Sequence, residues 1–339
     1  MWSWGLKFNI ATRFLFKSLG CLELLVEEMR DRLGGLYVLT VTPFKDNFDI
    51  DLEGMRENVR FLLENGITSE VGILVPGAGY GEGVYLSLEE HRRLVKAVLD
   101  EVQGKISVFP GVHLNGTLEA AKYCKQLQDM GADGVQLSPP AAYAMPTDDD
   151  IVYHYRQVAK AAPKLGIIVY NTYWEWGEPS YRDMTPNLIG RLLEIKNVVG
   201  IKWSSKTLSN FVACLDEYAE KCAFFNNMGA EVLPLFYMLG GRGFCVSEFA
   251  PWYNLKLKSL LEERNYADVW EELKKWAFPF SRLMKEIMSE GKHWIAISKA
   301  LVEISGLNAG PPRPPQIPVT SDQYERIRNL VEETGILSK

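Results

Sequence analysis

The chain has 339 residues, of which 47% are hydrophobic and 24% charged, with a net charge of −6. It is long enough to bury one large core or two modest ones, and it has no basic footprint, so neither nucleic acid nor an anionic membrane surface is expected as partner. Cys21, Cys124, Cys214, Cys222 and Cys245 are scattered with no Cys-x-x-Cys pair, which suits free thiols in a reducing cytoplasm, and His91, His113, His154 and His293 have no metal-ligand spacing.

Met1 to Glu28 carries Trp2, Trp4, Phe8, Phe14 and Phe16 among Lys7, Arg13 and Lys17. No run there is long and apolar enough to span a membrane. It reads as an organellar-type presequence, an interfacial helix, or the product of a start codon placed too early. We favour the last, with Met29 as the natural start, and set residues 1–34 apart as an extension.

From Gly35 onward short β runs alternate with amphipathic helices. Strand one is Leu36 to Val41, with a helix from Leu52 to Leu63. Strand two is Gly72 to Val75. Ser87 then caps a helix, with Glu90 three residues on as a capping box. Strand three is Ile106 to Phe109, with a helix from Leu118 to Met130. Strand four is Gly134 to Leu137. Its helix, Ile151 to Ala161, follows Asp148, Asp149 and Asp150, which read as a helix N-terminus complementing the dipole, not as a catalytic cluster. Strand five is Gly166 to Tyr170, and Thr185-Pro186 opens the next helix. Strand six is the apolar run from Val198 that stops at Lys202, with a helix from Leu208 to Tyr218. Strand seven is Ala223 to Phe225, with a helix from Val232 to Met238. Strand eight is Gly243 to Val246, and Trp252 to Leu261 closes the cycle. Eight β-α units over residues 35–265 predict a parallel (β/α)₈ barrel. A doubly wound sheet is the alternative, but Gly77, Gly79, Gly81 and Gly83 do not give the Gly-x-Gly-x-x-Gly pattern. Residues 266–339 read as an appended helical domain, with Pro311, Pro312, Pro314 and Pro315 ahead of a last helix from Asp322 to Thr334.

In such a barrel the active site lies at the C-terminal ends of the strands. Those ends carry Thr42-Pro43-Phe44, the loop Pro76 to Glu82, Ser138-Pro139-Pro140 with Tyr143 behind, Tyr170-Asn171, Lys202, and Ser247-Glu248. A lysine ending a buried strand either reaches water along its own stem or is a neutral amine used as a nucleophile. With Tyr170 on the adjacent strand, the amine can attack a ketone, the phenol can move its proton, and backbone N–H groups of the Gly79-Tyr80 loop can hold a carboxylate. Tyr170 read alone is a strand-end aromatic with a satisfied hydroxyl. Tyr80 and Tyr143 divide evenly between pocket wall and packing. Trp174, Trp176 and Trp203 are either core lids or a stacking wall for substrate. Ser204, Ser205 and Ser247 read as polar lining, Cys245 as a small hydrophobe at the site, and Glu82 as structural.

At this point the sequence resembles the dihydrodipicolinate synthase/N-acetylneuraminate lyase family of Schiff-base aldolases, from about Gly35 to the C-terminus. The matches fall in order: Thr42-Pro43-Phe44, Gly81-Glu82 with Leu86-Ser87, Gly131-Ala132-Asp133-Gly134, Ser138-Pro139-Pro140, Tyr170-Asn171, Gly200-Ile201-Lys202, Gly240-Gly241-Arg242-Gly243, Lys299 and Arg313-Pro314-Pro315. Three departures stand out. Gly79 and Tyr80 replace the two threonines of the Gly-Thr-Thr-Gly-Glu loop, Tyr173 replaces the proline after Tyr-Asn, and Glu175 aligns with the arginine that grips the second substrate's carboxylate in the synthase.

The resemblance implies a lyase, aldolase or dehydratase, acting on a 2-oxo acid such as pyruvate or a 2-keto-3-deoxy sugar acid. Lys202 and Tyr170 would be catalytic; Gly79, Tyr80, Tyr143, Glu175, Trp203, Ser204, Cys245 and Ser247 would bind substrate. No metal or organic cofactor is implied, and a cytoplasmic homotetramer is expected, with Tyr143 as the candidate for donation across a subunit contact. The three departures together make synthase activity unexpected, and the missing loop threonines motivate an alternative, a barrel that binds a 2-oxo acid or sugar acid without turnover.

Overall fold

The computed structural model describes residues 19–140, 146–172, 183–204 and 207–338. Among them, short strands form one parallel sheet: β1 (Gly35–Leu39), β2 (Gly72–Val75), β3 (Ser107–Val108), β4 (Gly111–Val112), β5 (Gly134–Leu137), β6 (Gly166–Asn171), β7 (Val198–Trp203), β8 (Ala223–Asn226) and β9 (Gly243–Ser247). The order across the sheet is β3-β2-β1-β9-β8-β7-β6-β5-β4. Its two end strands are consecutive in the chain, joined only by Phe109-Pro110. Phe109 N–H donates to Leu74 O on one side, and Gln136 N–H donates to Pro110 O on the other. The sheet therefore closes on itself as an eight-stranded barrel. The strand predicted over Ile106 to Phe109 pairs as β3, and beyond Pro110, which has no N–H for the ladder, pairing resumes as β4.

Helices alternate with the strands: α2 (Leu52–Glu64), α3 (Leu88–Val102), α4 (Thr117–Met130), α5 (Asp148–Ala161), α6 (Pro186–Leu193), α7 (Leu208–Tyr218), α8 (Leu233–Met238) and α9 (Pro251–Glu262). The caps expected on α3 and α6 are present, and α5 has a further one. Ser87 and Glu90 form a capping box on α3, Thr147 and Asp150 form one on α5, and Thr185 caps α6 ahead of Pro186. Asp148, Asp149 and Asp150 occupy the first turn of α5.

Alternation along the strands sends side chains either to the barrel interior or to the layer beneath the helices. Tyr37, Leu39, Ile73, Val75, Phe109, Ile168 and Phe225 fill the interior. Val135, Leu137, Val169, Ile201 and Trp203 pack outward against the helices. Helix α1 (Leu19–Arg32) closes the bottom of the barrel. Val26 and Leu33 join the interior cluster, and Arg30 donates to the Val198 carbonyl at 3.0 Å.

After α9 come α10 (Tyr266–Lys275), α11 (Ala277–Ser289), α12 (Trp294–Ile304) and α13 (Ser321–Thr334). They pack against α2, α3 and α9 in one continuous apolar cluster. Among the described residues, no helix is long and apolar enough to cross a membrane.

Candidate active site

Lys202 lies on β7 beside Tyr170 of β6 and Phe225 of β8. It is buried, with 4% of its surface exposed. Its Nζ sits 4.2 Å from the centre of the Tyr170 ring and 5.3 Å from that of Tyr37. It also donates a 3.2 Å hydrogen bond to Gln136 Oε1. The Tyr37 hydroxyl donates to the same oxygen at 2.7 Å. Gln136 pairs in register with Ile168, two residues nearer the strand starts than Tyr170, so Gln136 forms part of the floor beneath the amine. Burial pushes the Tyr37 phenol well above its usual range, and it stays protonated. The Cys245 thiol is pushed up to about 11 by burial, with the neighbouring Lys202 pulling the other way.

A second tier lies at the mouth. Pro76 to Glu82 turns tightly after β2. Gly77 has φ 62°, and a Cβ there would meet the His91 ring at 2.4 Å, so the turn closes only with glycine. The turn delivers Tyr80 against Trp294 of α12, with ring centres 5.8 Å apart. The Tyr80 hydroxyl reaches Ser247 and Ser298. Burial, followed by the nearby Glu248 carboxylate, raises its pKa. Glu248 is fully buried. Its Oε1 accepts from Val41 N–H at 2.7 Å, its Oε2 has no hydrogen-bond partner among the described residues, and burial raises its pKa to about 7. Glu82, also fully buried, pairs with Lys299 at 2.8 Å.

The expected site residues divide into three groups. Lys202, Tyr170 and Cys245 meet inside the barrel, and Tyr80 and Ser247 meet above them. A Cβ on Gly79 would find open space, so the loop leaves room there. Ser204 lies at the strand end, where its hydroxyl accepts from Asn227 Nδ2 at 2.7 Å and reaches the Asn227 carbonyl at 3.4 Å. Trp203 is a correction. It follows Lys202 on the strand and therefore faces the other way, fully buried between Phe211 and Phe224. It is a wall of the outer core and cannot line the pocket. Tyr143 and Glu175 lie outside the described residues, as do Ser205, Trp174 and Trp176.

Sequence reasoning missed Tyr37 and Gln136, and it placed Glu248 at the strand ends without giving it a role. The signal was available for the first two: each is the lone polar residue of a short apolar strand, at a position that alternation turns inward.

Known proteins share the family sequence pattern and the fold. A model of the dihydrodipicolinate synthetase family matches residues 32–334. A 4-hydroxy-tetrahydrodipicolinate synthase of Methanospirillum hungatei is 30% identical over 300 residues, covering 88% of this chain and 98% of the relative. The solved dihydrodipicolinate synthase of Thermotoga maritima superposes with a TM-score of 0.78 at 26% identity, covering 90% of this chain and 99% of that one. The sialic acid aldolase of Ruminococcus gnavus superposes with a TM-score of 0.77 at 18% identity, covering 90% and 98%, and shares the fold. The chain belongs to the dihydrodipicolinate synthetase family and is a lyase of that kind.

Proposed function

We propose that this lyase works through a Schiff base between Lys202 and a 2-oxo acid, pyruvate or a 2-keto-3-deoxy sugar acid. One observation carries the reading: a buried lysine on the barrel interior, with its Nζ 4.2 Å from the centre of the Tyr170 ring. Its neutral amine attacks the ketone carbon, and proton transfers give a carbinolamine. Loss of water leaves a protonated imine. In an aldolase that imine takes up the electron pair of the breaking C3–C4 bond as the C4 hydroxyl gives up its proton, and the enamine is then protonated at C3; in a dehydratase it takes up the pair of a C3–H bond, and the enamine expels the C4 hydroxyl as water. Tyr170 moves protons at the nitrogen. Cys245, uncharged at neutral pH, and Ser247 form the wall on β9. The Gly79-Tyr80 loop holds the carboxylate end through backbone donors.

The far half of the substrate is assigned by Glu175. A glutamate there would repel a second carboxylate, whereas an arginine would grip one. A neutral polyhydroxylated or aromatic aldehyde portion therefore suits this chain better than aspartate semialdehyde. A homotetramer in the cytoplasm completes the proposal.

The test is borohydride reduction in the presence of pyruvate, read by intact mass. Wild type should gain one adduct, mapped to Lys202. Lys202→Ala should fold, gain none and lose turnover. Ligand-induced thermal stabilisation without an adduct would favour a non-catalytic binding barrel. A preference for aspartate semialdehyde over neutral hydroxyaldehydes would remove the role given to Glu175.

A further inference from the structure

A carboxamide is an expensive side chain for the inside of a barrel unless its groups are matched. Gln136 is fully buried, and its amide nitrogen has no hydrogen-bond partner among the described residues. Its donor side therefore satisfies nothing in the wall. Its carbonyl oxygen, by contrast, receives both the Tyr37 hydroxyl at 2.7 Å and Lys202 Nζ at 3.2 Å. We propose that Gln136, anchored by Tyr37, is a positioning residue for Lys202, its carbonyl fixing the direction of the amine and favouring the protonated imine. This rests on the Schiff-base reading of Lys202.

The chemistry follows from the donor count. A neutral amine has two N–H bonds and one lone pair. An acceptor on the floor takes one N–H and leaves the lone pair free for a carbonyl carbon approaching from the mouth. After water leaves, the nitrogen keeps one N–H and carries the positive charge. The same oxygen then accepts a charge-assisted bond, stronger than the one it made to the amine. The interaction grows as the electron sink forms, which is the condition for it to raise the rate. A carboxylate in the same place would hold the lysine as an ammonium and block attack. Tyr37 supplies the anchor: burial keeps its phenol protonated, so it remains a donor to Gln136. Among the described residues, titratable groups that face Lys202 include Tyr37 on β1, Tyr170 on β6 and Cys245 on β9.

The experiment is a pH titration of the lysine Nζ resonances in ¹⁵N-lysine-labelled, ligand-free protein, with Lys202 assigned by its loss in Lys202→Ala. In Gln136→Met, which keeps the length of the side chain, the Lys202 midpoint should fall by about half a pH unit or more, and in Gln136→Glu it should rise. Tyr37→Phe, which removes one oxygen, should move it in the same direction as Gln136→Met. Turnover by Gln136→Met should drop about 10- to 100-fold in kcat with KM nearly unchanged. A purely structural glutamine would lower Tm and leave the midpoint where it was. A borohydride adduct in wild type with unmoved midpoints in all three variants would overturn the positioning role and leave the Schiff-base reading intact. Moved midpoints with no adduct in wild type would uphold the fixing of the amine by Gln136 but remove the Schiff-base reading and, with it, the part of the proposal that concerns the imine.

Discussion

Glu248 shows what burial does to a carboxyl when only one of its oxygens finds a donor. Its pKa rises to about 7 in the fold because water is excluded and Val41 N–H answers one oxygen alone. The folded value lies above the unfolded one, so the folded state favours the protonated form. The stability contribution is complete below about pH 4.5 and is lost as pH rises to about 7. His91 and His154 act in the opposite sense, each held near 4 by burial, so they weaken the fold as pH falls from 6.5 toward 4. A wild-type pH curve mixes these effects, whereas the difference between wild type and Glu248→Gln isolates one. We expect that difference to be near zero at pH 4 and to grow to roughly 2–3 kcal/mol in favour of the variant by pH 7.5. Urea unfolding across that range measures it, and a gap independent of pH would mean that Glu248 does not titrate there. At this scale the sequence was legible where a motif named the residue, as with Gly200-Ile201-Lys202, and where alternation was applied. Trp203 was misplaced because its size drew attention and its parity was ignored: with Lys202 facing in, Trp203 must face out.

Beside the contacts of Tyr80, helix α12 meets the barrel through an ion pair with a defined set of partners. Lys299 pairs with Glu82 on the β2 loop and also donates to the carbonyls of Thr42 and Ala309 at 2.9 and 3.2 Å. The second oxygen of Glu82 accepts from Arg313 N–H at 2.8 Å. Both side chains are almost wholly shielded from water, at 1% and 0% exposure, so each charge is tolerable only while the other is present. Lys299→Met should therefore cost about 3–5 kcal/mol, because it leaves a buried carboxylate uncompensated. Glu82→Gln combined with Lys299→Met should cost much less than the sum of the two single changes. A double-mutant cycle in urea checks this, and additive losses would show the pair to be uncoupled. The helices themselves were readable from their caps, and Glu82 was readable as structural. The break in the third strand was less readable, because Pro110 sits just past an apolar run and only the closed barrel shows that pairing resumes beyond it. Helix α1 was not legible as part of the fold. Residues 1–34 are set apart in the sequence as an extension, with Met29 favoured as the start, yet Val26 and Leu33 pack into the barrel floor.

At the scale of the whole molecule, the closed barrel concentrates its polar groups at one end. The floor beneath Lys202 carries Tyr37 and Gln136, and the rim carries Tyr80, Ser247 and Glu248. A site of this kind is complete within one chain only if no rim residue comes from a neighbour. Tyr143 is the residue proposed to break that condition, as the candidate for donation across a contact in a tetramer of paired dimers. A two-fold contact would make such a donation reciprocal, each subunit lending its Tyr143 to the other. Reciprocity has a consequence that mass alone does not test. Lys202→Ala and Tyr143→Phe should each be nearly inactive by themselves. When their subunits are mixed and exchanged, the mixed pair holds one site with Lys202 from one chain and Tyr143 from the other. Activity should then return to roughly a quarter of wild type. Sedimentation should give four times the 38.4 kDa of a single chain before and after mixing. If exchange is demonstrated by mass and no activity returns, Tyr143 does not act across the contact. A single-chain mass at micromolar concentration would remove both the tetramer and the shared site.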